Sequence, residues 1–299
     1  MVLDGGLATA LEARGCDLDD ALWSARILLE APDEIHQVHL DFLVAGADCL
    51  VTSTYQASIP GFRERGLRAA ESVELLQRSV EIAFDARNTF WSEPHNRVDR
   101  LRPLVAASVG PYGAYLADGS EYTGDYGISD DDLYEFHRGR WQVLTETDAD
   151  LLACETIPSR REANVLLRIL EETPGTWAWM SFSCRDELHL CDGTPLADVV
   201  RACDGQRNVA ALGVNCTSPL FISALIAEAR RETKKPLIVY PNSGERFNPT
   251  NRSWENAPDP IDWGEKSLEW KRLGAACIGG CCRVGPQEIA TMRRRLLAR

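Results

Sequence analysis

Three cysteines from two distant parts of the chain could act together. Cys281 and Cys282 are adjacent and follow two glycines in the stretch IGGCCR, and Cys216 ends the stretch GVNC. Thiolates are soft ligands that favour zinc over magnesium or calcium. Three protein ligands with a fourth position open are typical of a catalytic zinc site. If the cysteines meet in space, they predict a zinc site. The alternative is an incidental Cys281-Cys282 pair, in the form of a strained vicinal disulfide.

The three-cysteine pattern also indicates the kind of chemistry. A zinc ion held by thiolates alone carries net negative charge, so it is poorly suited to splitting water. Metal coordination instead lowers the pKa of a substrate thiol from about 8.5 and holds that thiol as a thiolate. We therefore expect alkyl transfer to sulfur rather than hydrolysis.

Other polar residues follow short apolar runs. Glu155 comes directly after the apolar run LLAC, where a carboxylate needs a partner, and Asp4 follows the run VL near the start of the chain. An ordinary helix N-cap is the alternative role for Asp4. The segment 110–127 holds four of the seven tyrosines together with several acids, and such a mixture suits a cation. A loop packed on its own rings is the alternative there.

Elements that could position these residues are visible along the whole chain. Apolar, β-rich runs alternate with longer amphipathic stretches. We predict strands at 2–3, 49–53, 104–109, 151–154, 177–183, 209–214, 237–240 and 276–278. We predict helices at 69–90, 131–147, 160–172, 220–231, 261–273 and 286–297, with capping signals at Ser159 and at Ser218-Pro219.

Eight strand-then-helix units predict a (β/α)8 TIM barrel, with residues 1–299 forming a single domain and the zinc site at its C-terminal face. A doubly wound open sheet is the rival fold. That fold is disfavoured because no GxGxxG follows the first strand. In a barrel, Cys216 and the Cys281-Cys282 pair would follow the sixth and eighth strands, which flank the seventh strand on one rim.

Composition narrows the class of partner. The chain of 299 residues has a net charge of -13, which argues against nucleic acid or an anionic membrane as a partner. No apolar run approaches the length of a membrane span, and the N-terminus MVLDGG lacks the features of a signal peptide. We therefore expect a cytoplasmic protein. In that compartment most of the ten cysteines would be thiols that pack in the core.

Eight segments carry a resemblance to a known family. They are DGGLATALEARG (4–15), GADCLVTSTYQAS (46–58), GPYGAYLADGSEYTGDYG (110–127), ACETIP (153–158), DGTPLADVV (192–200), GVNC (213–216), VYPNSGE (239–245) and GGCCR (279–283). With these segments the sequence resembles the homocysteine S-methyltransferases, and GVNC together with GGCCR is highly specific. The stretch YGAYLADGSEY resembles the branch that uses S-methylmethionine or S-adenosylmethionine as the methyl donor.

The resemblance implies a (β/α)8 barrel in which zinc, held by Cys216, Cys281 and Cys282, binds the homocysteine sulfur. Methyl transfer from the sulfonium donor would then give methionine, a step of methionine biosynthesis. The resemblance also implies that Glu155 and Asp4 bind the homocysteine ammonium. We expect the other substrate-binding residues at the same rim: Gly5, Gly6, Thr54, Gln56, Tyr122 and Asn215.

Two alternatives stay open from the sequence. A betaine-type homocysteine methyltransferase would use a different cationic donor. A non-enzymatic zinc store or thiol redox sensor would need neither Glu155 nor the tyrosine-rich segment.

Overall fold

The computed structural model describes residues 1–18, 24–248, 253–255 and 259–298. Its strands are β1 Cys49–Val51, β2 Leu104–Val109, β3 Leu151–Ile157, β4 Ala178–Phe182, β5 Val209–Asn215, β6 Leu237–Tyr240, β7 Arg246–Asn248, β8 Ser253–Glu255 and β9 Ala275–Ile278. Its helices are α1 Leu7–Ala13, α2 Ser24–Glu30, α3 Pro32–Ala45, α4 Ile59–Glu64, α5 Ala69–Ser92, α6 Tyr112–Leu116, α7 Asp130–Thr145, α8 Arg160–Glu171, α9 Leu196–Asp204, α10 Ile222–Glu232, α11 Trp263–Leu273 and α12 Pro286–Leu297. Within these described ranges, no helix has both the length and the apolar character needed to cross a membrane.

Seven strands form one parallel sheet in the order β1-β2-β3-β4-β5-β6-β9. The segment Val2-Leu3 joins the two edges of this sheet. Val2 forms a parallel bridge with Ile278 of β9, and Leu3 forms one with Cys49 of β1. The Leu3 amide donates to the Ile278 carbonyl at 2.9 Å, and the Asp4 amide donates to the Cys49 carbonyl at 3.1 Å. The sheet is therefore curled, and the α/β arrangement is consistent with a TIM-like barrel.

Buried side chains form two layers around the curled sheet. The inner layer takes small residues such as Ala106 and Ala153 together with two large rings, Trp179 and Tyr240. These two rings meet edge-on with centroids 6.3 Å apart. The outer layer lies between the sheet and the helices and contains most of the aliphatic core. The alternation of side chains along each strand produces the two layers.

The end of β3 differs from the sequence prediction. We expected the strand to stop at Cys154, but it continues to Ile157, with a shift in its register against β4 between these two residues. Thr156 has a left-handed backbone with φ of 61°. A bulge of this kind re-aims side chains at the end of a strand, so Glu155 lies in the irregular part of β3.

The two predicted helix caps have different outcomes. Ser159 caps α8, because its hydroxyl accepts a hydrogen bond from the Glu162 amide, as predicted. The prediction at Ser218-Pro219 is wrong, because α10 begins at Ile222 with Phe221 at its N-cap. The Phe221 amide donates instead to the Ser218 carbonyl at 3.1 Å. Ser218 therefore belongs to a turn that precedes the helix.

Candidate active site and metal centre

The three cysteines predicted to act together do meet in space. The sulfur atoms of Cys216 and Cys282 lie 3.8 Å apart, and those of Cys281 and Cys282 lie 4.0 Å apart. All three sulfurs lie within 4.8 Å of one another. Every cysteine of the chain is free, so the vicinal disulfide is not formed. The cluster could hold one metal ion.

Strand β6 brings these cysteines together. It lies between β5, which precedes Cys216, and β9, which precedes the cysteine pair. The Cys216 amide donates to the Tyr240 carbonyl at 3.2 Å, and the Cys281 amide donates to the Pro241 carbonyl at 2.8 Å. Consecutive carbonyls at the end of β6 therefore fix the backbone on both sides, as expected from the strand order.

The two glycines before the cysteine pair allow close packing against the start of the chain. A Cβ atom at Gly279 would lie 2.6 Å from Leu3 Cβ, and one at Gly280 would lie 2.2 Å from Val284 Cγ1. Both distances are shorter than side chains tolerate. Glycine is required here so that the turn carrying Cys281 and Cys282 can lie against neighbouring protein atoms.

Two buried carboxylates lie at the same end of the curled sheet. Glu155 accepts hydrogen bonds from the Ser108 hydroxyl and from the Tyr240 hydroxyl, the latter at 3.1 Å. Burial raises the pKa of Glu155 to about 7. Asp4 accepts from the Val51 amide at 2.7 Å, and burial followed by repulsion from Glu155 raises its pKa well above the usual value. These two acids therefore lie close together, and no cationic group of the described residues is among the causes of their pKa shifts.

The N-cap alternative for Asp4 does not hold. Helix α1 begins after Gly6, and no side chain caps its first turn. The carboxylate of Asp4 instead turns to the Val51 amide at the end of β1. Its place beside Glu155 leaves substrate binding as its predicted role.

Asn215 organises a polar layer beside the cysteines. Its Oδ1 accepts from the Thr156 amide at 2.7 Å and from the Ser181 hydroxyl at 2.8 Å, and its Nδ2 donates to Thr156 Oγ1 at 2.7 Å. The Ser181 and Tyr240 hydroxyls lie 2.6 Å apart, which links this layer to Glu155. These bonds hold the strand ends in place, and direct contact of Asn215 with substrate stays a prediction.

Three of the other predicted substrate-binding residues also have protein partners. The Thr54 hydroxyl donates to the Ser108 carbonyl at 2.7 Å, and the Gly6 amide donates to the Val284 carbonyl at 2.9 Å. Gly5 packs closely on Val284, since a Cβ there would lie 2.4 Å from its carbonyl oxygen. Substrate contacts of Gly5, Gly6 and Thr54 stay predictions.

The tyrosine-rich segment divides into two parts. Tyr112 packs against Tyr115 and Tyr126, with ring centroids 5.4 Å and 5.3 Å apart, and against Phe136 at 4.8 Å. These rings form a cluster on α7, which matches the structural alternative for them. Tyr122 is different, because its hydroxyl lies 3.9 Å from the sulfur of Cys216. Among the four tyrosines, Tyr122 is the one that the described contacts place at the sulfur cluster.

A buried ionic network that the sequence did not reveal holds this segment. Glu162, on the first turn of α8, accepts from the Tyr112 amide at 2.6 Å and from the Tyr126 hydroxyl at 2.7 Å. It also contacts His137, which in turn contacts Arg140. The guanidinium of Arg140 donates to the Gly110 carbonyl. One carboxylate thus binds both ends of the segment that carries Tyr122.

Comparisons with known proteins agree with this site. A sequence profile of the family described as homocysteine S-methyltransferase matches residues 1–296. The chain is 52% identical over 299 residues to the homocysteine S-methyltransferase YbgG of Bacillus subtilis, covering 99% of this chain and 95% of that protein. It is 46% identical over 296 residues to the homocysteine S-methyltransferase of Escherichia coli, covering 99% of this chain and 94% of that protein.

A solved structure is similar over almost the same span. The metallated form of the homocysteine methyltransferase MmuM from Escherichia coli matches with a TM-score of 0.88 and 46% identity, covering 99% of this chain and 96% of that chain. The curled sheet with its cysteine cluster, the matching profile and these similarities lead to one conclusion. The chain belongs to the homocysteine S-methyltransferase family.

Proposed function

We propose that the protein transfers a methyl group from a sulfonium donor, S-methylmethionine or S-adenosylmethionine, to the thiol of homocysteine and so forms methionine. The observation that carries this proposal is the placement of three cysteine sulfurs within 4.8 Å of one another at the sheet end that also holds Glu155 and Asp4. A thiol substrate with an ammonium group fits such a site. Its thiol would meet a thiolate-bound metal, and its ammonium group would meet the two buried acids.

Zinc suits the cysteine cluster. Bonds of about 2.3 Å in a tetrahedral zinc site place two sulfur ligands about 3.8 Å apart. The separations of 3.8 Å and 4.0 Å match that value. Cys216, Cys281 and Cys282 would hold the ion and leave a fourth position open. When bound there, zinc would lower the pKa of the homocysteine thiol and keep its sulfur nucleophilic.

Glu155 and Asp4 would bind the homocysteine ammonium. Burial favours the neutral form of both acids, so a bound cation would restore their charged form and gain a charge-assisted hydrogen bond. The hydroxyls of Ser108 and Tyr240 already orient the two oxygens of Glu155. The acid is therefore positioned before substrate arrives.

The proposed reaction is an in-line displacement. A lone pair of the homocysteine sulfur forms a bond to the donor methyl carbon, and the bond between that carbon and the sulfonium sulfur breaks. The bonding electrons stay on the departing sulfur, which becomes a neutral thioether. The thiol proton of homocysteine leaves to solvent before the attack. The main contribution of the protein is to hold the two sulfurs in line.

We also propose that residues 1–299 form one (β/α)8 domain in which Val2-Leu3 supplies the eighth strand. The bridges of this segment to β9 and β1 support that assignment. We place the enzyme in the cytoplasm, because ten free cysteines suit a reducing compartment.

One assay separates this proposal from its alternatives. Methionine formation from homocysteine is measured with S-methylmethionine, S-adenosylmethionine or betaine supplied separately. We expect turnover with at least one sulfonium and none with betaine. Turnover with betaine alone would indicate the betaine-type enzyme, and zinc binding without any turnover would indicate a zinc store or redox sensor.

A further inference from the structure

Two buried oxygen acceptors lie beside α6 without a donor among the residues that the structure describes. They are Oε2 of Glu121 and Oε1 of Gln56. The Gln56 side chain is 6% exposed, and its Nε2 donates to the Ala114 carbonyl at 3.2 Å. A carbonyl can only accept, so this bond fixes the orientation of the Gln56 amide. Buried acceptors of this kind are open to a partner that the protein itself does not supply, such as water or a ligand.

Both residues contact α6, in the segment that also carries Tyr122. Glu121 directly precedes Tyr122, whose hydroxyl lies 3.9 Å from the Cys216 sulfur. The backbone of Glu121 is packed on α6, because a Cβ at Gly113 would lie 2.2 Å from the Glu121 nitrogen. Gln56 bonds to the next residue of α6, Ala114. Glu121 and Gln56 therefore contact consecutive residues of one short helix, Gly113 and Ala114.

The groups that stabilise the charge of Glu121 are backbone hydrogen bonds at Glu121 and Gly119. Its pKa is raised to about 7, chiefly by burial and in smaller part by repulsion from Asp118. No cationic side chain is among the causes of this shift within the described part of the chain. A ligand that brings both positive charge and hydrogen-bond donors would therefore suit Glu121 and Gln56.

These requirements select a primary ammonium group. A sulfonium centre is cationic but has no N–H or O–H to donate, and the quaternary nitrogen of betaine has none either. The homocysteine ammonium is already assigned to Glu155 and Asp4. Both proposed methyl donors carry one α-ammonium group in addition to their sulfonium.

We propose that Glu121, with Gln56 as a second acceptor, binds the α-ammonium group of the sulfonium methyl donor. This inference rests on the proposed function and names the part of the donor that the site recognises. It gives each substrate its own acidic partner, Glu155 with Asp4 for homocysteine and Glu121 for the donor. Donor recognition then depends on the amino-acid end of the donor as well as on its methylated sulfur.

The test compares two donors in the zinc-loaded enzyme. One is S-methylmethionine, and the other is 4-(dimethylsulfonio)butanoate, which is the same donor without its amino group. In the wild type we expect kcat/KM to be roughly 10- to 150-fold higher for S-methylmethionine, the range for a charge-assisted hydrogen bond. In Glu121→Gln this preference should fall to within a few fold, while the homocysteine KM changes less than about twofold.

Two further variants sharpen the test. Asp125→Asn removes an exposed acid of the same segment and should keep the wild-type preference. Gln56→Leu should reduce the preference without loss of zinc, which tests the second acceptor independently if Glu121→Gln fails to fold. If the wild type is active and Glu121→Gln and Gln56→Leu both keep its preference for S-methylmethionine, the ammonium assignment alone is overturned. A wild type that uses no sulfonium at all would overturn the proposed function and this inference together.

Discussion

The side chains of Glu162 and His137 are both fully buried, and the imidazole Nε2 lies 2.8 Å from a carboxylate oxygen of Glu162. The other ring nitrogen, Nδ1, lies 2.9 Å from a guanidinium nitrogen of Arg140. A guanidinium can only donate, so Nδ1 accepts and Nε2 carries the hydrogen that goes to Glu162. Burial lowers the pKa of His137, in agreement with a neutral ring. This pair connects α7 to α8 beneath the tyrosine-rich segment.

Replacing Glu162 by Gln should loosen the segment 110–127. The change removes the negative charge of the carboxylate that accepts hydrogen bonds from the Tyr112 amide and the Tyr126 hydroxyl. We expect the free energy of unfolding to fall by roughly 1.5–3 kcal/mol and the donor KM to rise more than the homocysteine KM. Denaturant unfolding and steady-state kinetics measure the two effects. Glu172→Gln, which changes an exposed acid at the other end of α8, is the matched control. Equal changes in both KM values would argue against a specific role in donor binding.

Replacing Cys216, Cys281 or Cys282 by Ala should remove bound zinc and activity while the fold persists. Each variant loses one of three sulfur ligands, and a site with two thiolates binds zinc far more weakly. Metal content after dialysis and circular dichroism check this expectation. Cys16→Ala changes a cysteine outside the cluster and should keep a full complement of metal. Full zinc content in all three cluster variants would refute the site.

Glu155→Gln should damage homocysteine binding more than zinc binding. The variant keeps the shape of the side chain but loses the charge that would meet the substrate ammonium. We expect a cost of about 1.5–3 kcal/mol, seen as a higher homocysteine KM at unchanged zinc content. An unchanged KM and kcat would mean that Glu155 has only a structural role.

The raised pKa of Glu155 also predicts how stability depends on pH. The value is 4.5 for an ordinary glutamate and about 7 in the folded protein. Between these values the unfolded chain loses the proton first, so this group makes folding less favourable as pH rises. Glu155→Gln should therefore gain stability relative to the wild type from about pH 4.5 to pH 7, on the order of 3 kcal/mol, and level off above. Thermal unfolding at several pH values measures this difference. A difference that does not change with pH would contradict the raised pKa.

Two substitutions of Tyr122 separate the ring from the hydroxyl. If the ring face binds the cationic donor, Tyr122→Ala should raise the donor KM by an amount equal to about 0.5–2 kcal/mol, and Tyr122→Phe should change little. If the hydroxyl near Cys216 is what matters, both variants should be impaired alike. Donor KM values in the zinc-loaded variants decide between the two. Wild-type behaviour of both would remove Tyr122 from the site.

The sequence was informative where residues stand at the ends of parallel strands. Cys216 and the Cys281-Cys282 pair could be placed on one rim. They follow the sixth and eighth predicted strands, and in a barrel these two strands flank the seventh. Glu155 could be chosen because a carboxylate after an apolar run must have a partner. In both cases a local pattern and a general rule of topology were sufficient.

Other parts of the site depend on tertiary contacts that no local pattern marks. Tyr240 ends the apolar run LIVY and was assigned only to a strand, although its hydroxyl bonds Glu155 and Ser181. Glu162 follows a helix cap in an ordinary amphipathic stretch, and its partner at Tyr112 is 50 positions away. The extension of β3 to Ile157 arises from a bulge that places Thr156 against Asn215. Such contacts are decided by the packing of whole elements rather than by neighbours in the chain.

The bridges of Val2-Leu3 to β9 and β1 have a consequence for synthesis on the ribosome. The amino group of Met1 donates to the Ala276 carbonyl, 275 positions away in the chain. Val2, Leu3 and the β1 partner of Leu3 are translated early, but β9, the partner of Val2, and the cysteine pair after it are translated late. Until then the nascent chain has an unpaired sheet edge, which is a site for chaperones or for misassembly. Closure of the sheet and assembly of the three-cysteine cluster therefore coincide. A chain interrupted before β9 would carry only Cys216 of the three clustered cysteines.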